Sequence, residues 1–119
     1  ACDALIDIGA ELLELEQISA YPVILICLSD DHAVDAVFEQ ITNHISPNQV
    51  IVDFSSLSVD KTKQLAEKAK QKNVIWIDSP VSGGTAGAEN GTLVIFAGGH
   101  LSPIPRRNME SFCNTSRST

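Results

Sequence analysis

The stretch Tyr21-Pro22-Val23-Ile24-Leu25-Ile26-Cys27-Leu28, followed at once by Ser29-Asp30-Asp31, decides how this chain is read. It is a continuous apolar run rich in β-branched residues, the pattern of a strand covered on both faces. Pro22 fits its first position, where no ladder donor is needed. Ser29, Asp30 and Asp31 then offer side-chain oxygens of the kind that cap a helix N-terminus. Behind them Val34, Val37, Phe38 and Ile41 recur at i, i+3, i+4 and i+7, one apolar helical face.

Outward from this unit the pattern recurs. Ser46-Pro47-Asn48-Gln49 reads as a turn, Val50-Ile51-Val52-Asp53-Phe54 as a strand and Ser55-Ser56-Leu57-Ser58 as the loop after it. A helix follows from Val59 to Gln71, with Val59, Thr62, Leu65, Ala66 and Ala69 facing inward. Lys61, Lys63, Lys68, Lys70 and Lys72 form its solvated side. Val74-Ile75-Trp76-Ile77-Asp78 is the next strand, with Trp76 in the core. Short apolar strands alternating with helices indicate βαβ units, a parallel sheet and right-handed crossovers, hence an α/β fold. Upstream, Ala10 to Ile18 is compatible with an amphipathic helical turn or two. Downstream come a small-residue loop over Ser82 to Gly91 and a further strand over Thr92 to Ala97. The domain is expected to end at residue 99, with 100–119 as an irregular or disordered tail.

Composition narrows the function. Of 119 residues 44% are hydrophobic, enough for one modest core. Lys and Arg number 8 against 15 Asp and Glu, a net charge of −7, which argues against a nucleic-acid surface with its basic stripe. An anionic cofactor is still compatible, since oriented backbone N–H groups hold phosphate without side-chain charge. Cys2, Cys27 and Cys113 show no disulfide or metal-pair spacing, and Cys27 is expected to be a small buried hydrophobe. The apolar run Val23–Leu28 is too short to span a bilayer. The first residues show no basic segment leading into an apolar core, so the expected compartment is the cytoplasm or an organelle matrix.

The glycine-rich loop is the chief candidate for chemistry. Glycine allows positive φ and removes the Cβ that would hold a ligand off the backbone. Ser82-Gly83-Gly84 just past a strand can aim one hydroxyl and two or three amides at an anion, beyond the carboxyl ends of the sheet where α/β folds bind ligands. A tight connection into an antiparallel edge strand needs glycine equally, and composition does not separate the two. Ser55 and Ser56 read as helix-capping residues. Asp53 and Asp78 end strands and suit cap or turn roles. His32, His44 and His100 lack metal-ligand spacing and read as surface.

The run Asp78-Ser79-Pro80-Val81-Ser82-Gly83-Gly84-Thr85-Ala86-Gly87-Ala88-Glu89-Asn90-Gly91-Thr92-Leu93, with Gly98-Gly99 beyond, resembles the substrate loop of the 3-hydroxyisobutyrate dehydrogenase family. That family's pattern is D-x-P-V-S-G-G-x-x-G-A-x-x-G-x-L and a strand ending in Gly-Gly. The resemblance extends from about Gly9 to Gly99. It implies an incomplete Rossmann-type three-layer domain with parallel strands and a final edge strand, and NAD or NADP as cofactor. It also implies that Ser82, Gly83 and Gly84 grip a substrate carboxylate. Leu28-Ser29 stands where the family has Leu-Pro beside the cofactor, a contact made by backbone. Val52-Asp53-Phe54-Ser55-Ser56 is similar to I-D-x-S-T, which places the Ser56 hydroxyl near the nicotinamide. Ala33 replaces an Asn that some members set beside the cofactor.

Two family motifs are absent from this sequence. One is the fingerprint G-x-G-x-x-G that seats the pyrophosphate. The other is the lysine of G-x-x-G-x-G-x-x-x-K-x-x-x-N, the family's acid–base, since no lysine follows Lys72. The chain is therefore expected to be the C-terminal part of an NAD(P)-binding domain, inactive alone, with no catalytic residue of its own. Family members act on 3-hydroxyisobutyrate, tartronate semialdehyde or succinic semialdehyde, and the shared loop does not distinguish these. The alternative is a non-catalytic binding or oligomerisation module. A flavodoxin-like regulator lacks support, with no phosphate loop or acidic cluster after the first strand. Unpaired strand edges would favour self-association.

Overall fold

Parallel pairing organises the chain. The computed structural model describes residues 2–99. The elements run α1 (Asp3–Asp7), a 3-10 helix (Leu15–Ala20), β1 (Val23–Ile26), α2 (Asp31–Ile41), β2 (Val50–Asp53), α3 (Val59–Gln71), β3 (Ile75–Asp78), β4 (Val81–Ser82), α4 (Gly84–Asn90) and β5 (Val94–Ile95). The tail expected over 100–119, with His100 and Cys113, lies outside the described residues.

Strands β1, β2 and β3 form a parallel sheet in that order, with Val23 opposite Val50 and Val50 opposite Ile75. The register carries through to the other end, where Ile26, Asp53 and Asp78 stand level. Both long helices pack on one face. Val34 and Phe38 of α2 and Leu65 and Ala69 of α3 meet Ile26, Ile51 and Trp76 in one buried cluster. Phe38 and Trp76 meet edge to face, ring centroids 5.8 Å apart, the arrangement that the ring quadrupoles favour.

The helix starts follow capping chemistry. Asp30 accepts the Ala33 amide at 2.8 Å and so begins α2. The cap of α3 is Ser58, whose Oγ accepts the Lys61 amide at 3.3 Å, which corrects the reading of Ser55 and Ser56 as caps. Val59 opens α3 and points outward, 69% exposed, against its expected inward placement. Lys61 pairs with Asp35 of α2, joining the two helices on their outer side.

The opposite face carries Val50, Val52 and Ile77, flanked by half-buried Phe54 and Ile75. On β1, however, Val23 is 38% and Leu25 60% exposed, so β1 is not covered on both faces as expected. It has one sheet neighbour among the described residues, β2. Cys27 is exposed rather than buried, because it falls just past the last paired residue, where the chain leaves the sheet.

Two further segments differ from expectation. Ala10 to Glu14 is not helical; the helices near the start are α1 and the 3-10 turn at Leu15–Ala20. The glycine-rich loop contains the short helix α4, which Gly91 terminates in the left-handed conformation at φ 66°. Behind it the expected final strand is reduced to β5, which pairs antiparallel with β4: Val81 opposite Ile95, Ser82 opposite Val94. A bridge between Asp78 and Gly98 and the Phe96 amide on the Pro80 carbonyl at 3.0 Å continue that pairing back to β3. The result is an arm that prolongs β3 beyond the sheet and carries α4 at its tip.

The N-terminal segment packs Ile18 against the core and is tied down further by one polar side chain. Gln49, 4% exposed, donates through Nε2 to the Ile18 carbonyl at 2.9 Å and the Tyr21 carbonyl at 2.6 Å. Its Oε1 accepts the Ser46 amide. A leucine of similar volume would leave these groups without that partner, at a cost of about 2 kcal/mol. Gln49→Leu is therefore expected to lower the urea midpoint of unfolding without changing the slope. An unchanged midpoint would show that the amide holds nothing.

Candidate functional site

Because Ile26, Asp53 and Asp78 end level, three loops leave the sheet along one edge. Short hydrogen bonds lace them together. The Phe54 amide donates to the Ile26 carbonyl and the Ser79 amide to the Asp53 carbonyl, both at 2.8 Å. The Leu28 amide donates to Ser55 Oγ at 2.8 Å, and the Ser55 amide to Asp53 Oδ1 at 2.9 Å. That second bond is the i to i+2 turn expected of a strand-end aspartate. Next to it, Asp31 accepts both the amide and the hydroxyl of Ser58, at 3.1 and 2.7 Å. The Ser58 hydroxyl, then its amide, hold the Asp31 carboxyl below its ordinary pKa.

The candidate cofactor residues share this edge. Leu28 is half-buried, while Ser29 and Ser56 are exposed at the loop crests. Leu28 spends its amide on Ser55, while the exposed Ser29 and Ser56 leave their hydroxyls accessible to a polar ligand. Ala33 spends its amide on the α2 cap.

Ser82, Gly83 and Gly84 lie on the arm, at the turn from β4 into α4, and all three are exposed. Gly83 adopts φ 131° and Gly84 φ 60°, both in the region that favours glycine. The Gly83 and Gly84 amides have no carbonyl partner among the described residues. They remain available to an outside acceptor beside the Ser82 hydroxyl. No hydrogen bond among the described residues joins this turn to the Leu28 or Ser56 loops. An apolar hollow of 340 Å³, lined by Leu13, Leu15, Ile18, Tyr21 and Val23 among others, contains none of these residues.

Beneath the edge lies a polar cluster that sequence reasoning did not single out as a site. Asp53 and Ser79 are fully buried, and Asp53 Oδ2 and Ser79 Oγ have no hydrogen-bond partner among the described residues. Asp78, level with Asp53 on the neighbouring strand, has its pKa raised, first by burial and then by the Asp53 charge. Ser55 was likewise missed as a link between loops, since a serine after a strand reads equally well as a cap. Among the described residues no group of His, Cys, Asp and Glu could hold a metal ion.

Two outcomes follow from this geometry. A folded pKa above the ordinary 3.8 means that Asp78 favours the fold while protonated. That contribution is lost as pH rises through the raised value. Asp78→Asn is expected to stabilise the chain at neutral pH and to lose this advantage in acid below 3.8, as urea titrations at both pH values would read. At Gly83 a Cβ would sit 3.2 Å from Leu93 Cδ2 on a backbone that other residues avoid. Gly83→Ala should destabilise by about 1–3 kcal/mol. A melting temperature equal to wild type would show that the turn is not constrained.

Comparison with known proteins places the chain in a family. The profile of the NAD binding domain of 6-phosphogluconate dehydrogenase matches residues 1–108. The mitochondrial 3-hydroxyisobutyrate dehydrogenase of Drosophila melanogaster is 35% identical over 104 residues, 83% of this chain but 32% of that protein. The solved 3-hydroxyisobutyrate dehydrogenase of Mycobacterium tuberculosis with L-serine superposes with a TM-score of 0.69 at 26% identity. That match covers 74% of this chain and 30% of the enzyme. Psf3 in complex with NADP+ and 2-OPP gives a TM-score of 0.75 at 25% identity, over 83% of this chain and 37% of that one. The chain thus spans about a third of these proteins' length. Matched over most of its length, with the parallel sheet and level strand ends that such a domain requires, the chain belongs to the family of the NAD-binding domain of 6-phosphogluconate dehydrogenase.

Proposed function

We propose that this chain is the C-terminal part of an NAD(P)-binding domain, residues 1–99, in an oxidoreductase acting on a small 3-hydroxyacid of the 3-hydroxyisobutyrate kind. The observation that carries this reading is the turn at Ser82-Gly83-Gly84. Two exposed amides on positive-φ glycines stand beside a hydroxyl and are not spent on the chain's own carbonyls. Consecutive amides in such a turn make a concave anion seat, suited to a carboxylate. Ser82 Oγ would donate to one carboxylate oxygen and the Gly83 and Gly84 amides to the other.

The Leu28-Ser29 backbone and the Ser56 hydroxyl would border the nicotinamide and fix the face it presents. When bound, that group supplies or accepts the hydride. The protein's part is to hold the acid end of the substrate so that its hydroxyl carbon approaches that face. No residue of this chain is assigned to carry the hydroxyl proton. Lack of a positioned acid–base typically costs ~10²–10⁴ in rate. The isolated chain should therefore show little or no turnover, and sustained oxidation of 3-hydroxyisobutyrate by the pure chain would overturn that expectation.

One observation favours a second reading, a binding or oligomerisation module. The open face of β1, with Leu25 60% exposed, is suited to self-association. A stable monomer by size-exclusion chromatography would count against it. Among the described residues no helix is long and apolar enough to cross a membrane. The compartment proposed is the cytoplasm or an organelle matrix, the latter supported by the mitochondrial name of the fly relative.

Amide NMR on the full chain tests the leading reading. Adding 3-hydroxyisobutyrate in the presence of NADH or NADPH should shift the Ser82, Gly83 and Gly84 signals, and Ser82→Ala should weaken that response about tenfold. Silence of those three amides at saturating cofactor would sink the carboxylate seat.

A further inference from the structure

The ladder between β1 and β2 ends in an unusual rung. Its last backbone bond runs from the Phe54 amide to the Ile26 carbonyl at 2.8 Å. In a parallel pair the next donor on β1's side is Leu28, which would ordinarily meet a carbonyl of the neighbouring strand. Here the Leu28 amide meets Ser55 Oγ at 2.8 Å instead. A side chain supplies one more rung after the backbones have parted.

That hydroxyl is itself held in place. Ser55 is 2% exposed, and its amide is fixed on Oδ1 of the fully buried Asp53. The two carbonyls flanking this junction, of Ile26 and Asp53, are occupied by Phe54 and Ser79. Leu28 is thus tied to a serine that cannot drift. Among the described residues no peptide is cis, so the Cys27–Leu28 peptide is trans and its carbonyl points away from Ser55. One buried hydroxyl therefore sets which backbone groups the Cys27-Leu28-Ser29 segment presents beyond the sheet.

We infer that Ser55 is a positioning residue for the cofactor: it acts through the Leu28 amide to orient the Leu28-Ser29 backbone and does not touch the dinucleotide. This rests on the cofactor reading proposed above. The role belongs to the hydroxyl oxygen, so Thr can fulfil it and Ala or Val cannot.

The test uses the full chain and Ser55→Ala, Ser55→Thr and Ser55→Val. Two quantities are read: hydrogen exchange at Leu28, with Ile51 and Val52 of β2 as internal controls, and the NADH concentration that half-saturates amide shifts. In Ser55→Ala the Leu28 amide should exchange about tenfold or more faster while Ile51 and Val52 keep their rates. NADH binding should weaken about tenfold in the same variant, and Ser55→Thr should restore both. If Ser55→Ala does not fold, Thr against Val makes the same comparison at equal shape.

Acceleration of Leu28 only in step with Ile51 and Val52 would mean general loosening and overturns the inference. So would unchanged NADH affinity in a variant whose Leu28 amide has been freed. A wild-type chain whose amides ignore NADH overturns the cofactor reading itself, and that failure is recognisable because it precedes any substitution.

Discussion

The structure depends on a matter of register. Three parallel strands are paired so that Ile26, Asp53 and Asp78 finish at one level. Each strand must then hand its chain to a loop at the same edge, and the loops inherit one another as neighbours. Backbone donors left over at the edge find partners across the gap: Phe54 on Ile26, Ser79 on Asp53, Leu28 on Ser55. A shift of one residue would send Ile51 and Trp76 out of the core and break these ties together. The packing of α2 and α3 on a single face enforces the register, because Val34, Phe38, Leu65 and Ala69 accept only that row of side chains.

Much of this was legible in the sequence. Four-residue strands came from longer apolar runs, since Tyr21 to Leu28 reads as eight residues where Val23–Ile26 alone pair. Periodicity located α2 and α3 correctly because their inner faces repeat at helical spacing. The glycine-rich signature located the turn at Ser82 to Gly84, although α4 inside it was hidden. Ala86, Ala88 and Glu89 favour helix locally, but their glycine neighbours mask the signal. Cys27 and Val59 were misplaced because hydrophobicity alone does not tell whether a residue at the end of an element faces the core or solvent.

Other features left no trace in the sequence. Gln49 looks like a turn residue, yet it binds two carbonyls about thirty positions earlier, a contact that only the fold creates. Ser58 and Ser55 are serines of the same loop, and only coordinates show that one caps a helix while the other spans two strands. The buried pair of Asp53 and Ser79, each with an oxygen unpartnered among the described residues, sits directly below the edge. Groups left unpaired in the interior are costly, and the cost is borne where the edge is shaped.

The arm formed by β4 and β5 is set apart mechanically from the three-stranded sheet. Its antiparallel pairing joins the sheet at Asp78 and Gly98, while its tip at Gly83 and Gly84 stands clear of the core. Gly99 seals that root: a Cβ there would come within 2.8 Å of the Trp76 carbonyl oxygen, so the returning strand lies flush against β3. Beside the constrained Gly83 and Gly84, exposed residues such as Thr85 and Ala86 can change without disturbing a core side chain. Changes at a few such exposed positions would leave the three-stranded sheet and its level strand ends unaltered.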